Sequence, residues 1–306
     1  MRVLITGGAG FIGSHLAEYL RERADVRILD NLGRGDRRRL RHRDITFVRA
    51  SVLDTTALRG AISGVDLVFH LAAMVSVQES MENPQACVET NVRGTLNVLQ
   101  AATVAGVRKL VFASSAAIYG EDPPVPTPET AVPKPKSPYA ITKLDGEYYC
   151  EIFRREGWLK TAALRFFNVF GPGQDPASPY AAAVPAFFRQ ALCGQPLAIF
   201  GDGEQSRDFI HVKDAVSALA FVAEAGELSG AFNCGYGRPT TVNELVRRIL
   251  ALTQSESQPN HFPERSGDVR HSCASTEKLR AAGWRPVSSL EQGLRETMEG
   301  LRQDLF

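Results

Sequence analysis

Near its start the chain reads RVLITGGAGFIGSHLAEYL, residues 2–20. A short aliphatic run gives way to glycines at 7, 10 and 13 and then to an amphipathic stretch. Apolar runs of this length suit a buried strand, and the following pattern suits a helix. Glycine lets a strand turn sharply into a helix and lets a phosphate approach the backbone with no Cβ in the way. The free amides and the dipole at the helix start then face an anion. A plain glycine-rich turn would look the same in isolation. The context here adds Asp30 at the end of a second apolar run. A carboxylate there accepts hydrogen bonds from ribose hydroxyls and repels a 2′-phosphate, so a dinucleotide is expected, with NAD favoured over NADP. Arg34 and the run Arg37–Arg39 lie close by and argue mildly the other way.

Further runs repeat the strand character: VRILD, ITFVRA, LVFHLA, KLVFASS and TAALRFF, with helical patterns between them. Strand and helix in alternation imply an α/β fold, a doubly wound parallel sheet of Rossmann type whose ligands bind beyond the carboxyl ends of the strands. Residues 1–167 are expected to form this domain. Residues 168–306 then make a smaller substrate lobe, with segments near 207–250 returning to the first. The proline-rich stretch EDPPVPTPETAVPKPKSP (121–138) is longer than an ordinary connection and reads as a functional loop.

Composition removes several classes. Among 306 residues, 35 basic and 34 acidic side chains leave a net charge of +1, so nothing asks for nucleic acid or a membrane surface. No apolar stretch approaches the roughly 20 residues that cross a bilayer. Met1 leads straight into a run that reads as a strand, so no leader is expected. The five cysteines are scattered and never spaced as CxxC, as in a reducing, cytoplasmic protein. Histidine and cysteine show no ligand spacing, so no metal is expected. His70 sits in an apolar run and reads as a core residue, and neither His211 nor His271 is given a role.

SSAAIYG (114–120) ends the fifth apolar run with a hydroxyl pair, and SPYAITK places Tyr139 and Lys143 four apart on one face of a helix. A phenol is mostly protonated at neutral pH. A nearby ammonium and the positive nicotinamide ring would lower its pKa and let tyrosinate act as a base. Ser115 can bond the same substrate hydroxyl. This is chemistry suited to oxidising an alcohol by hydride transfer.

Taken together, TGGAGFIGSHL, DNL, HLAA, NVRGTLNVL, SSAAIYG, SPYAITK, RFFNVFGPGQ, LAIFGDGEQSRDFIHVKD and SGDVRHS resemble the extended short-chain dehydrogenase/reductases, specifically the NAD-dependent epimerases and dehydratases of nucleotide sugars. The resemblance runs nearly end to end. It implies Ser115, Tyr139 and Lys143 as the catalytic set. It implies NAD contacts from Gly7, Gly10, Phe11, Ile12, Gly13, Asp30, Asn31, Arg34, Ser51, Val52, Leu71, Ala72, Ala73, Asn91 and Phe166, besides Tyr139 and Lys143. Dehydratases of the family carry an acidic pair after the hydroxyl residue, and decarboxylating relatives keep a glutamate at the position of Ala117. Ala116 and Ala117 can neither give nor take a proton, so the resemblance points to 4-epimerisation of a UDP-hexose.

For the substrate, the resemblance implies Asn168, Arg207, Arg265 and Asp268 at the phosphates and nucleoside, and Ala198 and Phe200 at the uracil, besides Ser115 and Tyr139. Ser272, where bulky residues exclude N-acetylated sugars, leaves both plain and N-acetylated hexoses open. A uronate 4-epimerase, a 4-keto reductase and a non-catalytic NAD-binding regulator stay as alternatives. Ser51 and Ser275 depart from aspartates common in the family. A homodimer through the helices of NVRGTLNVLQAA and YAITKLDGEYYCEIF is also implied.

Overall fold

The computed structural model describes residues 1–40, 42, 44–176, 182–264 and 269–305. Its strands are β1 (Arg2–Thr6), β2 (Asp25–Asp30), β3 (Thr46–Arg49), β4 (Leu67–His70), β5 (Lys109–Ser115), β6 (Lys160–Phe166), β7 (Asn168–Phe170), β8 (Leu197–Phe200), β9 (Ser206–His211), β10 (Gly230–Cys234), β11 (Pro239–Thr241) and β12 (Pro259–Phe262). Its helices are α1 (Phe11–Leu20), α2 (Thr55–Ile62), α3 (Val77–Glu82), α4 (Pro84–Val88), α5 (Gly94–Val104), α6 (Pro138–Arg155), α7 (Ala183–Leu192), α8 (Val212–Glu224), α9 (Val242–Thr253), α10 (Glu277–Ala281) and α11 (Leu290–Leu305).

Seven strands form one sheet in the order β10-β6-β5-β4-β1-β2-β3. The pairs β1–β2, β2–β3, β1–β4, β4–β5 and β5–β6 are parallel. Parallel strands covered on both faces must be apolar throughout, and Val3, Leu4, Ile5, Val68 and Val111 are wholly buried. Strand order reverses between β1 and β4, so the carboxyl ends of these two strands open a crevice, the usual ligand position in such sheets. Helix starts are written locally. Asp54 accepts from the amides of Thr56 and Ala57 to begin α2, and Ser137 caps α6 ahead of Pro138 at its first position.

Two compact units result, Met1–Ile118 with Pro133–Phe166 and Val216–Phe232, and Tyr119–Val132 with Phe167–Ala215 and Asn233–Phe306. A single boundary after 167 does not describe this division. Tyr119–Val132 belongs with the second unit because Tyr119 Oη donates to Asn233 Oδ1 (2.6 Å) and Thr127 N to Cys273 O (2.8 Å). The return to the first unit is narrower than 207–250. It is held by Lys109, a buried lysine whose ammonium donates to the carbonyls of Val222, Ala225 and Leu228 at 2.6–2.7 Å.

The second unit carries a three-stranded sheet, β11-β9-β7, and the parallel pair β12-β8. Helices α7, α9 and α11 supply Val184, Phe188, Leu245, Ile249, Leu294 and Leu301 to its core, against Leu197 and Ile199 of β8. Buried Asp208 accepts from the amides of Tyr236, Gly237 and Ala274, which pins two loops to β9. Among the described residues no helix is long and apolar enough to cross a membrane.

Candidate active site

The loop after β1 is shaped by the three glycines for different reasons. Gly7 has φ +72°, and a Cβ on it would stand 2.7 Å from the Ala72 nitrogen of the chain leaving β4. Gly13 faces the loop itself, with an added Cβ 2.3 Å from Gly7 O. Gly10 is different: its Cβ would meet only Gly7 O, at 3.2 Å. It precedes α1, whose start carries no capping side chain and no acidic residue in the first turn. The amides of Phe11, Ile12 and Gly13 thus open α1 with its positive dipole end uncompensated by any side chain. These features fit a pyrophosphate. Leu71, Ala72 and Ala73 follow β4 at the same crevice, with Leu71 N bonded to Thr6 O (3.0 Å).

At the end of β2, buried Asp30 accepts from Ala9 N (2.9 Å) and Leu32 N (2.8 Å). Two amides fix the carboxylate and leave it lone pairs for hydroxyl donors. Asn31 folds the following turn by accepting from Gly33 N (2.9 Å). Arg34 pairs with Glu79, Arg38 pairs with Asp36 (2.8 Å), and Arg37 lies over the Phe47 ring. Arg34, Arg37 and Arg38, three of the arginines that argued for a 2′-phosphate, therefore have neighbours of their own. Ser51 turns the chain after β3 by accepting from Leu53 N (3.2 Å), and Val52 is buried. Asn91 sits in a π-helical turn (Glu89–Arg93) between α4 and α5. Its amide donates to Met74 O and Thr142 Oγ1 and accepts from Met74 N. Those bonds brace it against α6 through Thr142.

Ser115 ends β5, and Tyr139 and Lys143 lie on α6, with Tyr139 and Lys143 buried. Phe166, at the end of β6, lies opposite Ser115 in the β5–β6 register and is buried. Ser115 favours the ionised form of the Tyr139 phenol, and the Lys143 ammonium donates to Ala113 O (2.7 Å) and sits 5.8 Å from the Tyr139 ring centre. Burial lowers the Lys143 pKa to about 8. The Tyr139 phenol departs from the sequence expectation: burial raises its pKa, and Ser115 works in the opposite direction. In the protein alone, desolvation outweighs the lowering effect of Ser115. Ala116 and Ala117 begin a single 3-10 turn, and Ala117 N donates to Ser115 Oγ (3.2 Å). His70 is a core residue, bonded to Thr6 and Thr95 hydroxyls, with its pKa lowered to about 3 by burial.

In the second unit, Asn168 of β7 is exposed and pairs in register with Phe209 of β9, two residues past Arg207. Arg207 donates to Ser206 O (2.9 Å), and Ser272 N donates to that same carbonyl (3.1 Å). Asn168, Arg207 and Ser272 thus come from adjoining backbone. Ala198 and Phe200 lie on β8; Ala198 N donates to Gln190 Oε1 (3.2 Å), and the Phe200 ring packs on Phe262. Arg265 and Asp268 lie outside the described residues.

One group went unnoticed in the sequence. Glu147 extends the Tyr139–Lys143 stripe by one more turn and forms a buried ion pair with Arg165 (2.7 Å). Its spacing was visible as an i, i+4, i+8 series; its partner, on another strand, was not.

Residues 3–235 match the model of the NAD dependent epimerase/dehydratase family. The chain is 38% identical to the UDP-glucose 4-epimerase of Mycolicibacterium smegmatis, over 99% of each chain. A crystal structure of UDP-glucose 4-epimerase with UDP-glucose from Thermotoga maritima is 42% identical, covers 100% of both chains and superposes with a TM-score of 0.96. UDP-N-acetylglucosamine 4-epimerase from Methanobrevibacter ruminantium, in complex with UDP-N-acetylmuramic acid, is 37% identical over 99% of each chain, also with a TM-score of 0.96.

Proposed function

Because the chain belongs to the NAD-dependent epimerase/dehydratase family, we propose that it inverts carbon 4 of a UDP-hexose through a transient 4-keto sugar. The observation that carries this reading is the Tyr139 phenol with Ser115 favouring its ionised form and the Lys143 ammonium 5.8 Å from its ring on the same helix face, with alanines at the two positions after Ser115. NAD, when bound, would supply reversible hydride transfer at carbon 4. Tyr139 takes the proton of the 4-hydroxyl, Ser115 bonds the same oxygen, and Lys143 supplies positive charge that favours the tyrosinate. When the ketone is reduced from its other face, Tyr139 gives the proton back, so the reaction is redox-neutral overall. Methyl groups at 116 and 117 offer no acid or base for eliminating water.

Gly7, Gly10 and the amides of Phe11, Ile12 and Gly13 hold the pyrophosphate, and Asp30 holds a ribose. Asn168, Arg207 and Arg265 hold the substrate diphosphate, which suits arginine's planar, always-charged fork. Asp268, Ala198 and Phe200 hold the nucleoside. Ser272 is small, so plain and N-acetylated hexoses are both candidate substrates.

The test is proton NMR of the purified protein with UDP-glucose, UDP-galactose, UDP-N-acetylglucosamine and UDP-N-acetylgalactosamine in separate tubes, with no reductant. Anomeric signals of the 4-epimer are expected and rank the sugars. Silence in all four, with NAD bound, rejects this substrate class in favour of a uronate or a 4-keto sugar.

A further inference from the structure

The stripe of α6 that carries Tyr139 and Lys143 ends in Glu147, a carboxylate that the proposed reaction does not use. Arg165 reaches it as a fork, Nε to Oε1 (3.0 Å) and Nη2 to Oε2 (2.7 Å), and Ser114 Oγ donates to Oε1. Both side chains of the ion pair are 8% exposed. Ser114 and Arg165 face each other in register across β5 and β6. Gly146, beside Glu147, lies so close to Phe112 that a Cβ would stand 2.4 Å from its ring. One turn earlier, Lys143 Nζ is bonded to Ala113 O. The helix bearing Tyr139 is therefore fastened to the last residues of β5, immediately before Ser115.

We propose that Glu147, paired with Arg165, is a positioning residue: it holds α6 in register so that Tyr139 meets Ser115, and it balances the charge under which the Tyr139 phenol ionises. This rests on reading Tyr139 as the base. The titratable groups around Tyr139 are Lys143 on its own helix and Cys87 on α4. Those around Glu147 are Lys143 and Cys150 on α6 and Arg165 on β6. His70 on β4 is neutral, and its ring interacts with the Lys143 charge. Cys87 and Cys150 are both pushed up by burial and stay uncharged. Charge at the helix face is thus set by Lys143, Glu147 and Arg165.

Eight residues of helix separate Tyr139 from Glu147 by about 12 Å. At an effective dielectric near 20, one unbalanced charge at that range moves a pKa by about one unit. Removing Glu147's charge leaves Arg165 unbalanced and favours tyrosinate. Removing Arg165's charge leaves the carboxylate and disfavours it. A purely structural brace would lower activity without moving the phenol in opposite directions.

The experiment follows tyrosinate absorbance against pH in NAD-loaded protein without sugar, using Tyr139→Phe to identify the signal. Glu147→Gln is expected to lower the midpoint by about one unit and Arg165→Gln to raise it, while the double variant returns to within about 0.3 unit of wild type. Breaking a buried pair leaves an uncompensated charge, so should one single variant not fold, the other against the double variant reads the same sign. The turnover expected of the double variant is lower at every pH, since its weaker bonds loosen the register. Midpoints that shift in the same direction, or stay within about 0.2 unit, overturn the proposal. Wild-type turnover in a double variant overturns the register half of it. Neither result touches the functional reading, which fails separately if Tyr139→Phe still turns over a UDP-hexose.

Discussion

Tyr139 shows how far residue-level reading extends. Its spacing from Lys143 and its relation to Ser115 were legible, because helix periodicity and a strand end can be read locally. Its raised pKa was not, because desolvation depends on what packs around it. Tyr139→Phe should cost turnover about 10³-fold, within the range of a lost acid–base group, while NAD content and UDP affinity stay nearly unchanged. Turnover within about tenfold of wild type would remove Tyr139 from the mechanism. His70 gives a second test. Its folded pKa is lowered to about 3, below the ordinary value of 6.5, so the unfolded chain binds the extra proton between those values. Stability is therefore retained above pH 6.5 and lost as pH falls toward 3. From pH 6.5 to 5 this contributes a loss of about 2 kcal/mol. Urea titrations at both pH values should show that loss in wild type and not in His70→Gln. An equal slope in both proteins would assign the acid sensitivity elsewhere.

Among the elements, the turn from β1 into α1 separates glycines that serve the fold from the glycine proposed to serve a ligand. A sequence pattern cannot make that distinction, since all three glycines look alike in it. The space around each one does. A methyl group on Gly13 runs into the backbone of Gly7 and Gly8, which cannot yield. Gly13→Ala should destabilise the apo protein by about 3 kcal/mol, the upper end of overpacking. Gly10 is less crowded, an added Cβ meeting only Gly7 O at 3.2 Å, so Gly10→Ala should cost less than Gly13→Ala, about 1 kcal/mol. On the proposed placement of the pyrophosphate at this turn, its methyl obstructs approach to the backbone, and NAD should bind at least about tenfold more weakly. Thermal unfolding of both apo variants, with equilibrium NAD binding for Gly10→Ala, separates the effects. Equal destabilisation of the two would mean that the loop rearranges as a whole.

For the whole molecule, the first sheet was readable because parallel strands buried on both faces become uninterrupted aliphatic runs. The second unit was less so. β7, β11 and β12 are three or four residues long, and β12 is exposed throughout, so pairing with distant segments defines them more than their own pattern does. The same limit applies to α6, whose apolar stripes fitted either a core or a partner. The fold separates them: Tyr139, Lys143, Glu147 and Cys150 face inward, whereas Ile141, Tyr148 and Ile152 are 46–57% exposed. Positions 141, 148 and 152 fall on one side of the helix, a spacing of seven and four. An apolar helix stripe left in water favours association with another apolar face. A second copy of this chain, meeting α6 with the same stripe, is the arrangement expected of a two-fold dimer. Sedimentation velocity at micromolar concentration should then give twice the chain mass for wild type. Tyr148→Glu with Ile152→Glu places two carboxylates in the contact of each copy, and like charges brought together in a closing apolar surface oppose it. That variant should sediment as a monomer with its NAD binding intact, because Tyr148 and Ile152 are exposed whereas Tyr139 and Lys143 of the same helix are buried. A wild-type monomer at that concentration would leave the stripe without a partner of its own kind, and a variant that remains dimeric would place the interface on another face.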